Sequence, residues 1–137
     1  MGAPKVTYNH ELDLAIYTFG GEIVFDDVFE AIRQYYQGKL TKYTLWDFSA
    51  AEVQKISNNE LRQMGDYVSN AGKARKNCFD VIVVPGLLKY GMARVYAAYA
   101  QSIQKDPDAL KSVIFRKAED AYEWIQKNEI DEKLPSR

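Results

Sequence analysis

At 137 residues, 47% apolar and 27% charged, the chain is long enough to bury one sizeable core and has the balance of a soluble globular protein. A formal net charge of −1 argues against a nucleic-acid partner held by overall field. The single cysteine, Cys78, excludes an intramolecular disulfide and any multi-cysteine metal site, and a reducing cytoplasm fits it best.

No stretch approaches the ~18 consecutive apolar residues of a membrane span, so integral membrane contact is not expected. The N-terminal MGAPKVTYNHELD lacks the apolar run of a secretory signal.

In chain order, Lys5 to Tyr8 and Leu12 to Phe19 read as two strands around a turn at Asn9-His10-Glu11. Alternation in the second puts Leu12, Leu14, Ile16 and Thr18 on one face and Asp13, Ala15, Tyr17 and Phe19 on the other. Gly20-Gly21 ends it. Asp26 or Asp27 then opens a helix with Val28, Phe29, Ile32, Tyr35 and Tyr36 at helical spacing, and Gly38 supplies a left-handed stop.

Tyr43 to Phe48 is too apolar for an exposed strand, and Asp47 is its polar exit. Ser57-x-x-Glu60 is a capping box, with Ile56 and Leu61 at the two positions of a hydrophobic staple. The helix it opens buries Leu61, Met64, Val68 and Ala71. Phe79 to Val84, rich in β-branched residues, reads as a central strand covered on both faces. Pro85-Gly86 breaks it.

A long helix from Leu87 to Gln104 follows, with Leu88, Met92, Val95, Tyr96, Tyr99 and Ile103 on one apolar face. After a turn around Pro107 come a strand from Leu110 to Arg116 and a helix from Ala118 to Lys127. The order β-β-α-β-α-β-α-β-α predicts an α/β domain with a mixed, largely parallel sheet. The whole chain, 1–137, reads as a single domain: an ordered core over about 5–127 and a charged tail over 128–137 that frays.

Chemistry is sparse. His10, the one histidine, falls in a turn, and one Cys and one His cannot build the usual zinc site. Neither GxGxxG nor GxxxxGK[ST] occurs. Cys78 has Lys76 nearby, a neighbour that lowers a thiol pKa, but without a reaction partner it reads as a packer. No nucleophile–base pair or metal cluster is visible, so no catalytic residue, metal or cofactor is assigned.

In open α/β sheets ligands bind outside the carboxyl ends of the strands, which selects Asp47-Phe48-Ser49 and Pro85-Gly86-Leu87 as rim positions. Asp47, beside Trp46, has two readings: a strand-exit residue bonding its own loop, or a rim acid facing a pocket. On the long helix Tyr90 and Arg94 are four apart and share a face. With Gly91 and the nearby alanines they offer a polar contact for an anion, a partner helix or Asp47. The alanine-rich side also suits a homodimer contact. Trp46, Asp47, Tyr90, Gly91 and Arg94 are therefore the expected ligand or partner site.

LWDFSAAE followed by SNNELRQM, YGMARVYAAYAQS, and VIFRKAEDAYEWI together resemble the SpoIIAA-like, STAS/SEC14-type proteins, small bacterial α/β domains. The resemblance runs from about Tyr8 to Ile125. It implies the fold of the anti-sigma-factor antagonists: a β/α superhelix with a mixed five-stranded sheet, about four helices, and those helices banked on one side. Such antagonists carry a phosphorylatable serine in an Asp-Ser-Ser-Gly-Leu context. Here the same place reads Ser57-Asn58-Asn59-Glu60-Leu61, with Asn58 at the acceptor position.

The resulting expectation is a non-enzymatic binding or regulatory module acting through a protein partner or a small, partly apolar or anionic ligand. The SEC14 part of the resemblance makes a lipid the version to test first. The alternatives are a phosphorylation-dependent partner switch through Ser57 or Ser49, and a small hydrolase or transferase acting on an anionic substrate.

Overall fold

The computed structural model describes residues 2–101 and 106–133. Strands β1 (Lys5–Asn9) and β2 (Leu14–Glu22) pair antiparallel. Strands β3 (Tyr43–Glu52), β4 (Phe79–Val83) and β5 (Lys111–Phe115) then add in sequence order, each parallel to the one before. Helices α1 (Phe25–Gln37), α2 (Asn58–Ala71) and α3 (Leu87–Gln101) fill the three crossovers, and α4 (Ala118–Lys133) follows β5.

Right-handed crossovers between strands added in one direction require α1, α2 and α3 to share a face of the sheet. The core bears this out. Tyr17, Trp46 and Ile82 pack with Ile32, Met64 and Ala93 in one buried cluster. Leu45, Val81 and Val83 pack on the other face with Ala121 and Ile125 of α4. The helices are thus not all banked on one side: α4 closes the second face.

Local signals explain the element ends. The capping box forms as expected, with Glu60 N–H donating to Ser57 Oγ at 3.2 Å and Ser57 N–H to Glu60 Oε1 at 2.9 Å. Such a cap contributes about 1 kcal/mol. Asp27 holds the start of α1 from inside, accepting from Val24 N–H at 2.8 Å. Gly38 ends α1 in extended backbone, at φ −105°, and not in the left-handed region expected of it.

Neither β2 nor β3 stops where expected. Gly20-Gly21 continues β2 and pairs with Ala50-Ala51 of a longer β3. Between Thr18↔Asp47 and Gly20↔Ala50 the third strand holds one extra residue, a β-bulge. Trp46 and Phe48 before it and Ala51 and Val53 after it therefore reach the same core.

The last helix runs past Lys127 to Lys133. Lys42 Nζ lies 3.2 Å from both Glu129 and Glu132, and Asn128 donates to Tyr43 OH at 2.9 Å, so contacts to the sheet hold the segment expected to fray. Leu88, expected on the apolar face of α3, is exposed, whereas Met92 and Tyr96 pack inward. Ile103 and Gln104, the expected end of that helix, lie outside the described residues, as do residues 134–137 of the tail.

Candidate functional site

Two strands and one helix converge on Asp80, which is 2% exposed in the middle of the sheet. Its Oδ1 accepts from Trp46 Nε1 at 2.7 Å and from the Thr44 hydroxyl, and its Oδ2 accepts from Tyr96 OH at 2.9 Å. Thr44 and Trp46 are two apart on β3 and so share a face, while Tyr96 reaches across from α3. A carboxylate taken out of water needs such partners, because an uncompensated buried charge costs several kcal/mol.

Arg75, also 2% exposed, is a buried cation on which the Asp80 charge acts without direct contact. Its guanidinium donates to the Thr41 carbonyl at 3.1 and 3.3 Å and to Tyr36 OH at 3.3 Å, and lies 5.0 Å over the Tyr35 ring. Burial works against its charge, but Tyr36 and Asp80 outweigh that, and its pKa is raised. Burial first, then the Asp80 charge, hold the Tyr36 and Tyr96 hydroxyls above their ordinary range, so both stay protonated, Tyr36 accepting from Arg75 and Tyr96 donating to Asp80.

This network shapes a cavity. With their polar atoms committed to Asp80, Trp46 and Tyr96 present ring surface to a space between the sheet and α1, α2 and α3. About 70 Å³ is open there to a water-sized sphere. Its other walls are apolar, among them Ile32, Leu61, Met64 and Val84. Ile56 and Leu61, the residues at the staple positions, are both lining residues, so the signal that starts α2 also builds the cavity.

Lys89 is the one ionisable ammonium of the lining; its Nζ donates to the Phe48 carbonyl at 3.3 Å. Val53 and Lys89 also wall a surface depression formed by Glu52–Gln54 and Pro85–Leu88, which adjoins the cavity.

The predicted site residues do not come together. Trp46 lines the cavity. Asp47, next along β3, points to the opposite face: Tyr43 and Leu45 of that face pack with α4, and the Asp47 charge acts on Tyr122 of α4. Its Oδ1 accepts from Ser49 N–H at 2.8 Å, within the bulge. An Asp47/Tyr90/Arg94 rim therefore does not form.

Tyr90 packs at the edge of the α3-side core beneath the Arg116 guanidinium, 5.0 Å from its ring. Gly91 and Arg94 are on the exposed side of α3, and a Cβ at Gly91 would meet nothing within 4 Å. Ser57 is exposed, with its hydroxyl engaged in the cap. Burial, only partly opposed by Arg75, pushes the Cys78 thiol up, so Lys76 does not activate it.

Sequence reading passed over Asp80, Arg75 and Tyr96. The available signal was a carboxylate inside the apolar run FDVIVV, since a charge in a buried strand must find a partner. It also passed over Gly65, where α2 crosses α3: a Cβ there would stand 2.5 Å from Tyr99 Cβ and 2.9 Å from the Tyr96 carbonyl.

Among the described residues, no group of three or more His, Cys, Asp or Glu side chains is placed to hold a metal, and no helix is long and apolar enough to cross a membrane. No protein-family model matches the chain, and no curated protein matches it. Among solved structures it is similar to an uncharacterised protein of the DUF3478 family from Shewanella loihica PV-4, described as having a SpoIIAA-like fold. The TM-score is 0.55 at 13% identity, over 91% of this chain and 95% of that one. Strand order, crossover helices and this likeness together make the fold SpoIIAA-like.

Proposed function

We propose that the protein is a non-enzymatic binding module for a small, apolar, lipid-like ligand, held in the cavity under α3 and not at Asp47. The cavity itself carries this reading. The space of about 70 Å³ is walled almost wholly by apolar side chains and opens to the surface, and such a concave apolar pocket is the ordinary form of a small-molecule site. An apolar ligand there removes its own surface and that of the walls from water. Asp80 supports the reading further, since it holds Trp46 and Tyr96 with their rings toward the space.

Its volume is about half that of an engineered ~150 Å³ cavity that takes benzene, so it suits a short chain of a few carbons. A longer ligand continues past Val53 and Lys89 into the outer depression. A phosphorylation-dependent switch at Ser57 would have to break the capping box, and we favour the ligand on that ground.

Native mass spectrometry and solvent extraction of the purified protein, with melting curves in a series of fatty alcohols and acids, test the proposal. We expect a co-purifying apolar species or a clear rise in melting temperature. Ligand at 100 times its Kd adds about 2.7 kcal/mol. Ala93→Leu, which fills the cavity, should abolish that rise without lowering the melting temperature of the free protein. Absence of any bound species together with no shift from any member of the series would sink the reading.

A further inference from the structure

Leu87 and Leu88 are the most exposed large apolar side chains among the described residues, at 77% and 63%. They open α3 directly after Gly86, whose φ of +88° turns the chain out of β4. From Leu87 the exposed side of the helix continues through Gly91, Arg94 and Ala98, at three- and four-residue spacing. The helix contains Lys89 and Arg94 and no acid.

Arg116, at the end of β5, lies over Tyr90 and brings a second guanidinium to this flank, with exposed Lys117 beside it. Among the described residues, none of Arg94, Arg116 and Lys117 has a carboxylate within 4.0 Å. The nearby acids stand elsewhere: Glu52 on the far wall of the depression, and Glu119 and Asp120 at the start of α4.

We propose that this end of α3 is a peripheral docking surface for an anionic lipid bilayer. Leu87 and Leu88 enter the headgroup layer, and Arg94 and Arg116 meet the anionic headgroups. Area and charge decide the occupant. Two projecting leucines fall far short of the ~800 Å² per side that a stable protein interface buries. Interfacial partitioning needs only some buried apolar area plus the attraction of nearby cations.

The surface stands on observations separate from the cavity and does not depend on the ligand reading. Its consequence for that reading is positional: docking sets the depression walled by Val53, Leu87 and Lys89 against the bilayer.

Co-sedimentation of the full chain with vesicles of equimolar phosphatidylglycerol and phosphatidylcholine, against phosphatidylcholine alone, tests the proposal. We expect binding to the anionic vesicles that weakens with salt and is absent from the neutral ones. R94Q/R116Q should lower partitioning about 30-fold, and L87S/L88S about tenfold or more. Both variants change exposed positions and should melt like the parent.

Failure of the wild type to sediment with anionic vesicles, or binding that survives L87S/L88S, overturns the proposal. So does capture of a protein that L87S/L88S loses while vesicles are ignored. Ala93→Leu should dock normally, so loss of the cavity ligand and loss of docking are read separately.

Discussion

The two faces of one sheet are finished differently. Toward α4 the filling is aromatic and dense: Tyr43, Phe79 and Trp124 meet in stacked and edge-on pairs, and the polar contacts, from Asn128 and Lys42, lie at the rim. Toward α1, α2 and α3 the same strands carry a buried carboxylate, a buried guanidinium and an apolar pocket. One face is a core in the ordinary sense. The other carries stability costs that only a specific geometry offsets, which is where a binding function is to be sought.

The largest test of this contrast is Asp80→Ala. It strands Trp46 Nε1, the Thr44 hydroxyl and Tyr96 OH in the interior, and at about 1–3 kcal/mol for each unsatisfied group should cost about 3–5 kcal/mol in urea unfolding. It should also broaden Trp46 fluorescence as the ring loses its anchor. A loss below ~1 kcal/mol would mean that the network is incidental.

Gly65→Ala comes next. Overpacking costs about 1–3 kcal/mol, and the better helix propensity of alanine returns about 1. We expect net destabilisation, because the contacts at 2.5 and 2.9 Å include backbone that cannot step aside. An unchanged melting temperature would show that α2 and α3 are not rigidly docked.

The smallest effect is alkaline. The steepest tyrosine rises, at Tyr17, Tyr36 and Tyr96, are all on the hollow face, and burial leads each of them. Unfolded tyrosine titrates near ~10. A folded pKa above that means stability is complete below pH ~10 and declines as pH rises beyond it, because only the unfolded chain releases the protons. Denaturant midpoints should be flat from neutral pH to about 9 and fall above 10. A flat profile above that point would remove the buried tyrosines from the account.

What was legible in the sequence was local. The Ser57–Glu60 box, the β-branched run before Pro85 and the alternation of β2 each depend on neighbours within a few residues, and each forms. The hollow face is assembled from afar: Asp80 draws on Thr44 and Trp46, 36 and 34 positions away, and on Tyr96, 16 away. An unfilled volume belongs to no residue, so no residue announces it. Asp47 was within reach of sequence reasoning, since a strand that turns Trp46 inward turns its neighbour outward.

The extra residue in β3 leaves the pairing with β2 intact on either side of it. Deleting Ser49 would join Thr18↔Asp47 to Gly20↔Ala50 through a plain ladder and keep Ala51 and Val53 facing the hollow with Trp46 and Phe48, because side chains alternate with a period of two. The strand can therefore lose that residue without turning over. What the deletion would remove is the local bend and added twist that a bulge gives the rim of the hollow.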